Sequence, residues 1–103
     1  MIKQHYSWWG YVRSLVREWD ERKDCESMQR AAEQDYICVD LAALETERMT
    51  DGENRLKLIR MMHWDKTHTL DGAALGIPCG RSTAARWQRE FFEMVARNRG
   101  LMD

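Results

Sequence analysis

The sequence predicts an all-α fold of four to five helices, in which an N-terminal amphipathic helical hairpin precedes a C-terminal helix-turn-helix. Three observations support this prediction. Apolar residues recur at helical spacing along most of the 103 residues, the chain contains one proline and six glycines, and capping or turn-forming residues separate the periodic segments. We expect one domain over residues 1–103, with an acidic hairpin at 1–49 and a helix-turn-helix part at 51–100.

Two periodic segments predict the N-terminal hairpin. The first covers residues 7 to about 23 and repeats large apolar side chains at the spacing of one helical face, namely Trp8, Val12, Leu15 and Trp19. The second covers residues 27 to about 49 and has two apolar stripes, one containing Tyr36 and Val39 and the other containing Ile37, Leu41 and Leu44. Two stripes require two neighbours. The second neighbour is either the C-terminal half of the chain or another copy of the chain.

A break and a restart at residues 50–53 predict a third helix. Asp51 and Gly52 favour a turn, while Thr50 and Glu53 match a capping box, in which two side chains satisfy free amides at a helix N-terminus. We expect this helix to end near residue 66. Its inward face is predicted to contain Leu56, Ile59 and His63.

Residues 70–89 predict the helix-turn-helix. Thr69 can cap a short helix over residues 70–75, with Asp71 in the first turn, where the helix dipole favours a carboxylate. Residues 76–80 contain two glycines and the proline and predict the turn, and Leu75 and Ile77 are expected to fill the core below it. A longer helix over residues 82–98 follows, with Trp87 and Phe91 among its inward residues.

Charge identifies the C-terminal half as the part to examine for contact with nucleic acid, the alternative being a chance scatter of surface charge. Residues 1–53 contain 7 Lys/Arg and 12 Asp/Glu, whereas residues 54–103 contain 9 and 5, so the halves carry −5 and +4 within a net charge of −1. The outward residues of the last helix suit a DNA major groove, because arginine pairs with guanine, glutamine pairs with adenine, and hydroxyls reach phosphates or bases. The candidate DNA-binding residues are Arg81, Ser82, Thr83, Arg86, Gln88, Arg89 and Arg97.

The amino-acid sequence of this segment resembles those of known regulators. Leu75-Gly76-Ile77, a polar turn and then Arg81-Ser82-Thr83-Ala84 with Arg86-Trp87 resemble the helix-turn-helix of bacterial and phage regulators and of region four of sigma factors. A wider similarity covers Arg55–Ile59, Lys66–Leu70, Ala73–Leu75, Thr83-Ala84, Arg86-Trp87 and Phe91. On these residues, the segment 52–101 is similar to small prophage proteins of the RinA/ArpU type. The resemblance implies a sigma-like transcriptional regulator of phage late genes that binds double-stranded promoter DNA and contacts RNA polymerase. It covers only the C-terminal half, and the turn at residues 78–81 is longer than the usual form.

A second interpretation is a helical protein-interaction or oligomerisation module that does not read DNA. The two stripes of the second helix and the acidic, tryptophan-rich N-terminal half favour it. Its partner is RNA polymerase or a second copy of the chain, as in a homodimer. The two interpretations are compatible, since a regulator can use one surface for DNA and another for polymerase.

No catalytic, cofactor or metal site is expected. Cys25, Cys38 and Cys79 are odd in number and widely spaced, which argues against a disulfide framework or a zinc ribbon. Five helical residues, or about 140° around the axis, separate His63 from His68, so a continuous helix does not point both at one ion. Free thiols, the lack of an apolar run of about 18 residues and the lack of a signal-peptide pattern predict a cytoplasmic protein with no membrane partner.

Overall fold

The computed structural model of the chain describes residues 7–22, 30–77 and 79–101. These residues form helices and no strand, which confirms the all-α prediction of four to five helices. The helices are α1 (Trp9–Arg22), α2 (Arg30–Glu47), α3 (Gly52–Ile59), which continues as one π-helical turn (Arg60–Trp64), α4 (Leu70–Gly76) and α5 (Arg81–Asn98). The predicted end of the first helix at residue 23, the predicted start of the second at residue 27, and Cys25 lie outside the described residues.

The main core lies between α1, α2, α3 and the C-terminal half of α5. As the spacing predicts, α1 buries the face that carries Trp8, Val12 and Leu15, and Trp19 is partly buried at its edge. α5 is the central helix, because it contacts each of the other four. Its contribution to this core is large: Phe91, Phe92, Met94, Val95 and Ala96 are all buried.

A smaller core lies beneath α4 and the N-terminal half of α5. It contains Leu58 of α3, Ala73, Ala74, Ile77, Ala84 and Trp87. Small alanines let α4 approach α5 closely. The prediction that Leu75 fills this core is wrong, because its side chain is 89% exposed. The short α4 turns Ala73, Ala74 and then Ile77 towards α5, and Leu75 points away from that face.

The junction between α2 and α3 is a tight turn. The predicted capping box is wrong: Asp51, not Thr50, is the N-cap residue, and it makes no side-chain capping bond. Asp51 has a left-handed backbone conformation with φ of 60°, and the carbonyl of Thr50 accepts a hydrogen bond from Arg55 Nε at 3.0 Å. A Cβ atom on Gly52 would overlap the carbonyl oxygen of Thr46 and lie 2.8 Å from that of Glu47. Only glycine therefore fits this close approach.

The two stripes of α2 have different environments. Tyr36 and Val39 are buried as predicted, together with neighbouring Cys38, Ala42 and Thr46. The second stripe, Ile37, Leu41 and Leu44, is 49%, 50% and 54% exposed. Within the described chain this stripe has no packing neighbour that covers it. None of the described helices combines the length and the apolar character that a bilayer span requires.

Candidate nucleic-acid interface

The candidate interface is built from α4 and α5, which four residues connect. The Thr69 hydroxyl accepts a hydrogen bond from the Gly72 amide at 3.2 Å, which confirms the predicted cap of α4. Arg81 is the first residue of α5, and its Nε donates to the Asp71 carboxylate in the first turn of α4. This ion pair joins the starts of the two helices. Both side chains are 70% exposed, so the pair contributes little to stability and exchanges readily with other anions.

Two aromatic residues set the rotation of α5. Trp87 and Phe91 are 5% and 1% exposed, so both point inward as the periodicity predicts. The Arg55 guanidinium lies over the Trp87 ring, 5.4 Å from its centroid, and pairs with Glu90 at 2.7 Å. These contacts determine which sides of α5 face the rest of the protein. The opposite side of α5 is left to the solvent.

Arg86 and Arg89 lie on this outer side of α5, and both are exposed. Neither guanidinium has an ion pair or hydrogen bond with any residue that the structure describes. Their spacing of three residues places them on one face, one above the other. Two free, neighbouring guanidinium groups form a surface that suits phosphate or guanine, both of which accept paired hydrogen bonds from arginine.

The basic part of the outer face is continuous only in the N-terminal half of α5. Further along this face, at four-residue spacing, stand Glu93 and then exposed Arg97. The Glu93 carboxylate interrupts the positive charge, and beyond Phe91 most of the helix circumference is buried. Exposed Ser82 and half-buried Thr83 lie in the first turn, where backbone amides are free to donate. The candidate interface is therefore residues 81–89.

Gln88 lies on the inner edge of α5, and its amide oxygen is already bonded. Its Oε1 is 2.7 Å from His63 Nε2, and Arg17 Nε donates to His63 Nδ1 at 3.2 Å. Because Nδ1 accepts, the ring proton is on Nε2 and is donated to Gln88. Gln88 thus leaves only its NH2 group for a ligand. Sequence periodicity placed His63 inward, but nothing in the sequence identifies these two partners.

His63 is neutral at physiological pH. It is 2% exposed and its ring lies 5.1 Å from that of Phe92. Burial lowers its pKa to about 4; the hydrogen bond to Gln88 acts in the opposite direction, and the charges of Arg17 and Arg13 add to the lowering. A neutral, fully bonded imidazole holds α1, the π-helical turn and α5 together.

The remaining candidate ligands are dispersed. His68 is exposed, and its Nδ1 is 2.8 Å from the Thr67 hydroxyl oxygen. His63, by contrast, is buried. Cys38 is buried in the core, and Cys79 is partly buried before α5. Among the described residues, no three His, Cys, Asp or Glu side chains come together as metal ligands do.

Comparison of the chain with protein-family models, with curated proteins and with solved structures found no significant match. The resemblance to prophage regulators therefore rests on the residues quoted above and stays a prediction.

Proposed function

We propose that the protein is a sequence-specific, DNA-binding transcriptional regulator that reads the major groove with the N-terminal half of α5. The observation that carries this proposal is the pair of exposed, unpaired guanidinium groups of Arg86 and Arg89, held outward by buried Trp87 and Phe91. A helix presented by a short preceding helix and a turn is the arrangement by which helix-turn-helix proteins enter the groove. The protein is a binding protein rather than an enzyme in this proposal.

Each candidate residue has a role that follows from its position. Arg86 and Arg89 face the base edges, where arginine discriminates guanine. Ser82 and Thr83, with the free amides of the first turn, contact a phosphate. Arg81 reaches the backbone once phosphate replaces Asp71 as its partner. Secondary roles fall to the NH2 group of Gln88 and to Arg97 beyond Glu93.

The prophage resemblance extends the proposal to its setting. It implies a sigma-like regulator that acts on late promoters together with RNA polymerase, in the cytoplasm of the host. Charge segregation supports a two-surface protein of this kind, since the half that contains α5 carries +4 and the other half −5.

The test is a DNA titration with matched arginine variants. Duplexes selected from a random pool are titrated with the wild type and with Arg86→Ala and Arg89→Ala. Each substitution should weaken binding by about 1–3 kcal/mol and relax the sequence preference, because it removes a base contact. Arg97→Ala should weaken all sequences alike and by less. Arg48→Ala is the matched control, since Arg48 is an exposed arginine in the turn after α2 and not on α5.

The salt dependence of the DNA affinity tests the contacts between the protein and the DNA phosphates. The logarithm of the affinity should fall with the logarithm of salt concentration by about 0.9 for each phosphate neutralised. Arg97→Ala, which removes a backbone contact, should leave a shallower slope. If no duplex is retained at low salt, or if Arg48→Ala weakens binding as much as Arg86→Ala, the assignment of α5 to DNA is wrong.

A further inference from the structure

The outer side of α2 carries an apolar surface that the rest of the described chain does not cover. We define the α2 outer face as Ile37, Leu41 and Leu44, which follow one another at intervals of four and three residues. Each is about half exposed, while Val39, Ala42 and Thr46 on the other side are buried against the core. α2 therefore already packs against the core through its other side, and the outer face is not needed for that packing. A second, contiguous apolar stripe on the outside of a small protein indicates a binding surface.

The α2 outer face continues into a groove between α1, α2, α3 and the π-helical turn. The groove has a volume of about 450 Å³, and its apolar lining is Trp19, Ala43, Leu44, Leu56 and Trp64. Leu44 belongs to both surfaces, so they are continuous. A groove of this size accepts one large apolar side chain from a partner, which is how a central anchor residue binds in a protein interface.

Hydrogen bonds hold the two tryptophan rings of the groove in place. Trp19 Nε1 donates to Asp40 Oδ1 at 2.7 Å, Trp64 Nε1 donates to the carbonyl of Val16 at 2.9 Å, and the ring centroids are 4.8 Å apart. Because both indole N–H groups are satisfied, the rings present apolar surface and need no polar group from a ligand. The groove is thus formed before any partner binds.

Carboxylates border this surface on both sides. Asp40 and Glu47 lie on the groove side of the α2 outer face, where Arg60 also lines the groove, and Glu45 lies on the other side. Arg48 stands at the C-terminal end of the face, so three carboxylates stand against two arginines. Because the carboxylates outnumber the arginines, a second copy of the same face, nucleic acid or an anionic membrane would meet net repulsion. A helix with lysine or arginine beside its apolar stripe is complementary to this border.

We propose that the α2 outer face and its groove bind an amphipathic helix of another protein, one with a basic border. Its apolar stripe packs on Leu41 and Ile37, and one large side chain enters the groove beside the contacting Trp19 and Trp64 rings. Its cations lie near Asp40, Glu45 and Glu47. This is the helix-in-groove mode of recognition. The inference does not depend on the DNA-binding proposal, because it uses no residue of α5.

The test uses two designed peptides and the full chain. Both peptides are labelled helices of about 18 residues with the same leucine stripe, long enough to be partly helical, and they differ only in lysine or glutamate at the flanking positions. In fluorescence anisotropy the lysine peptide should bind about ten-fold tighter than the glutamate peptide or better. Leu41→Lys should weaken it about ten-fold. Leu75→Lys is the matched control, since Leu75 is also exposed but lies on α4.

Charge reversal completes the test. Glu45→Lys combined with Glu47→Lys should invert the preference, so that the glutamate peptide becomes the tighter ligand. Thermal unfolding of each variant checks that the fold is kept, and Leu41→Gln replaces Leu41→Lys if the latter unfolds early. Equal binding of the two peptides, or equal losses from the Leu41 and Leu75 substitutions, would overturn the proposal. So would a concentration-dependent dimer that Leu41→Lys abolishes, because the occupant would then be a second copy.

Discussion

The buried side chain of His63 makes the stability of the fold depend on pH. In the folded chain its pKa is lowered to about 4, whereas an unfolded histidine titrates near 6.5. As pH falls below 6.5 the unfolded chain binds a proton that the folded chain does not, so stability is lost between about pH 6.5 and pH 4 and His63 causes no further loss below that. The expected cost between pH 7 and pH 5 is about 2 kcal/mol.

Urea unfolding at the two pH values measures this cost. His63→Gln should lose much less stability between them, because its amide cannot bind the proton. His68→Gln should behave as the wild type, since His68 is exposed. Equal pH effects in the wild type and in His63→Gln would show that other groups dominate this range. The sequence predicted that His63 points inward, but Arg17 and Gln88 are 46 and 25 residues away, and such long-range partners depend on how the helices pack.

At the level of elements, the α2–α3 junction depends on one missing side chain. A Cβ atom at Gly52 would meet the backbone carbonyls of Thr46 and Glu47, which cannot move without shifting the end of α2. Gly52→Ala should therefore destabilise the protein by about 1–3 kcal/mol, measured as the free energy of unfolding in urea. Gly10 in α1 is the matched control, because nothing lies within 4 Å of its added Cβ. Gly10→Ala should be neutral or stabilise by up to about 1 kcal/mol. The same loss from both would contradict the tight-junction explanation.

The elements that the sequence predicts well are those that local rules determine. The spacing of Trp8, Val12 and Leu15 identifies the buried face of α1, and the Thr69 cap is a contact over three residues. The rotation of α5 follows from Trp87 and Phe91 in the same way. The errors arise where packing decides. Leu75 lies in a helix of only seven residues, too short for its apolar pattern to show one face, and the turn at Asp51 displaces the expected cap from Thr50.

At the scale of the whole molecule, the two proposed binding surfaces point in different directions. α2 and α5 face each other through their buried sides: the Thr46 hydroxyl contacts Met94 Sδ at 3.9 Å, and Asn98 Nδ2 donates to the Cys38 carbonyl at 3.2 Å. The α2 outer face and the Arg86–Arg89 side of α5 are therefore on the far sides of this helix pair. One surface has an acidic border and the other is basic, so the two proposals together predict that one molecule binds DNA and a basic protein helix at once.

Simultaneous binding gives the last prediction. Packed helices are about 8–10 Å apart, and the molecule is 39 × 31 × 24 Å, so the two surfaces are separated by more than the screening length of about 8 Å at physiological salt. Saturation with the lysine peptide should then leave the DNA affinity of the wild type unchanged within about two-fold. Leu41→Lys should likewise leave DNA binding intact, and the double substitution Arg86→Ala, Arg89→Ala should leave peptide binding intact. DNA titrations with and without peptide measure this independence. Competition between peptide and DNA would mean that both occupy one surface. The assignment of the peptide to the α2 outer face and of DNA to the Arg86–Arg89 side of α5 would then be wrong.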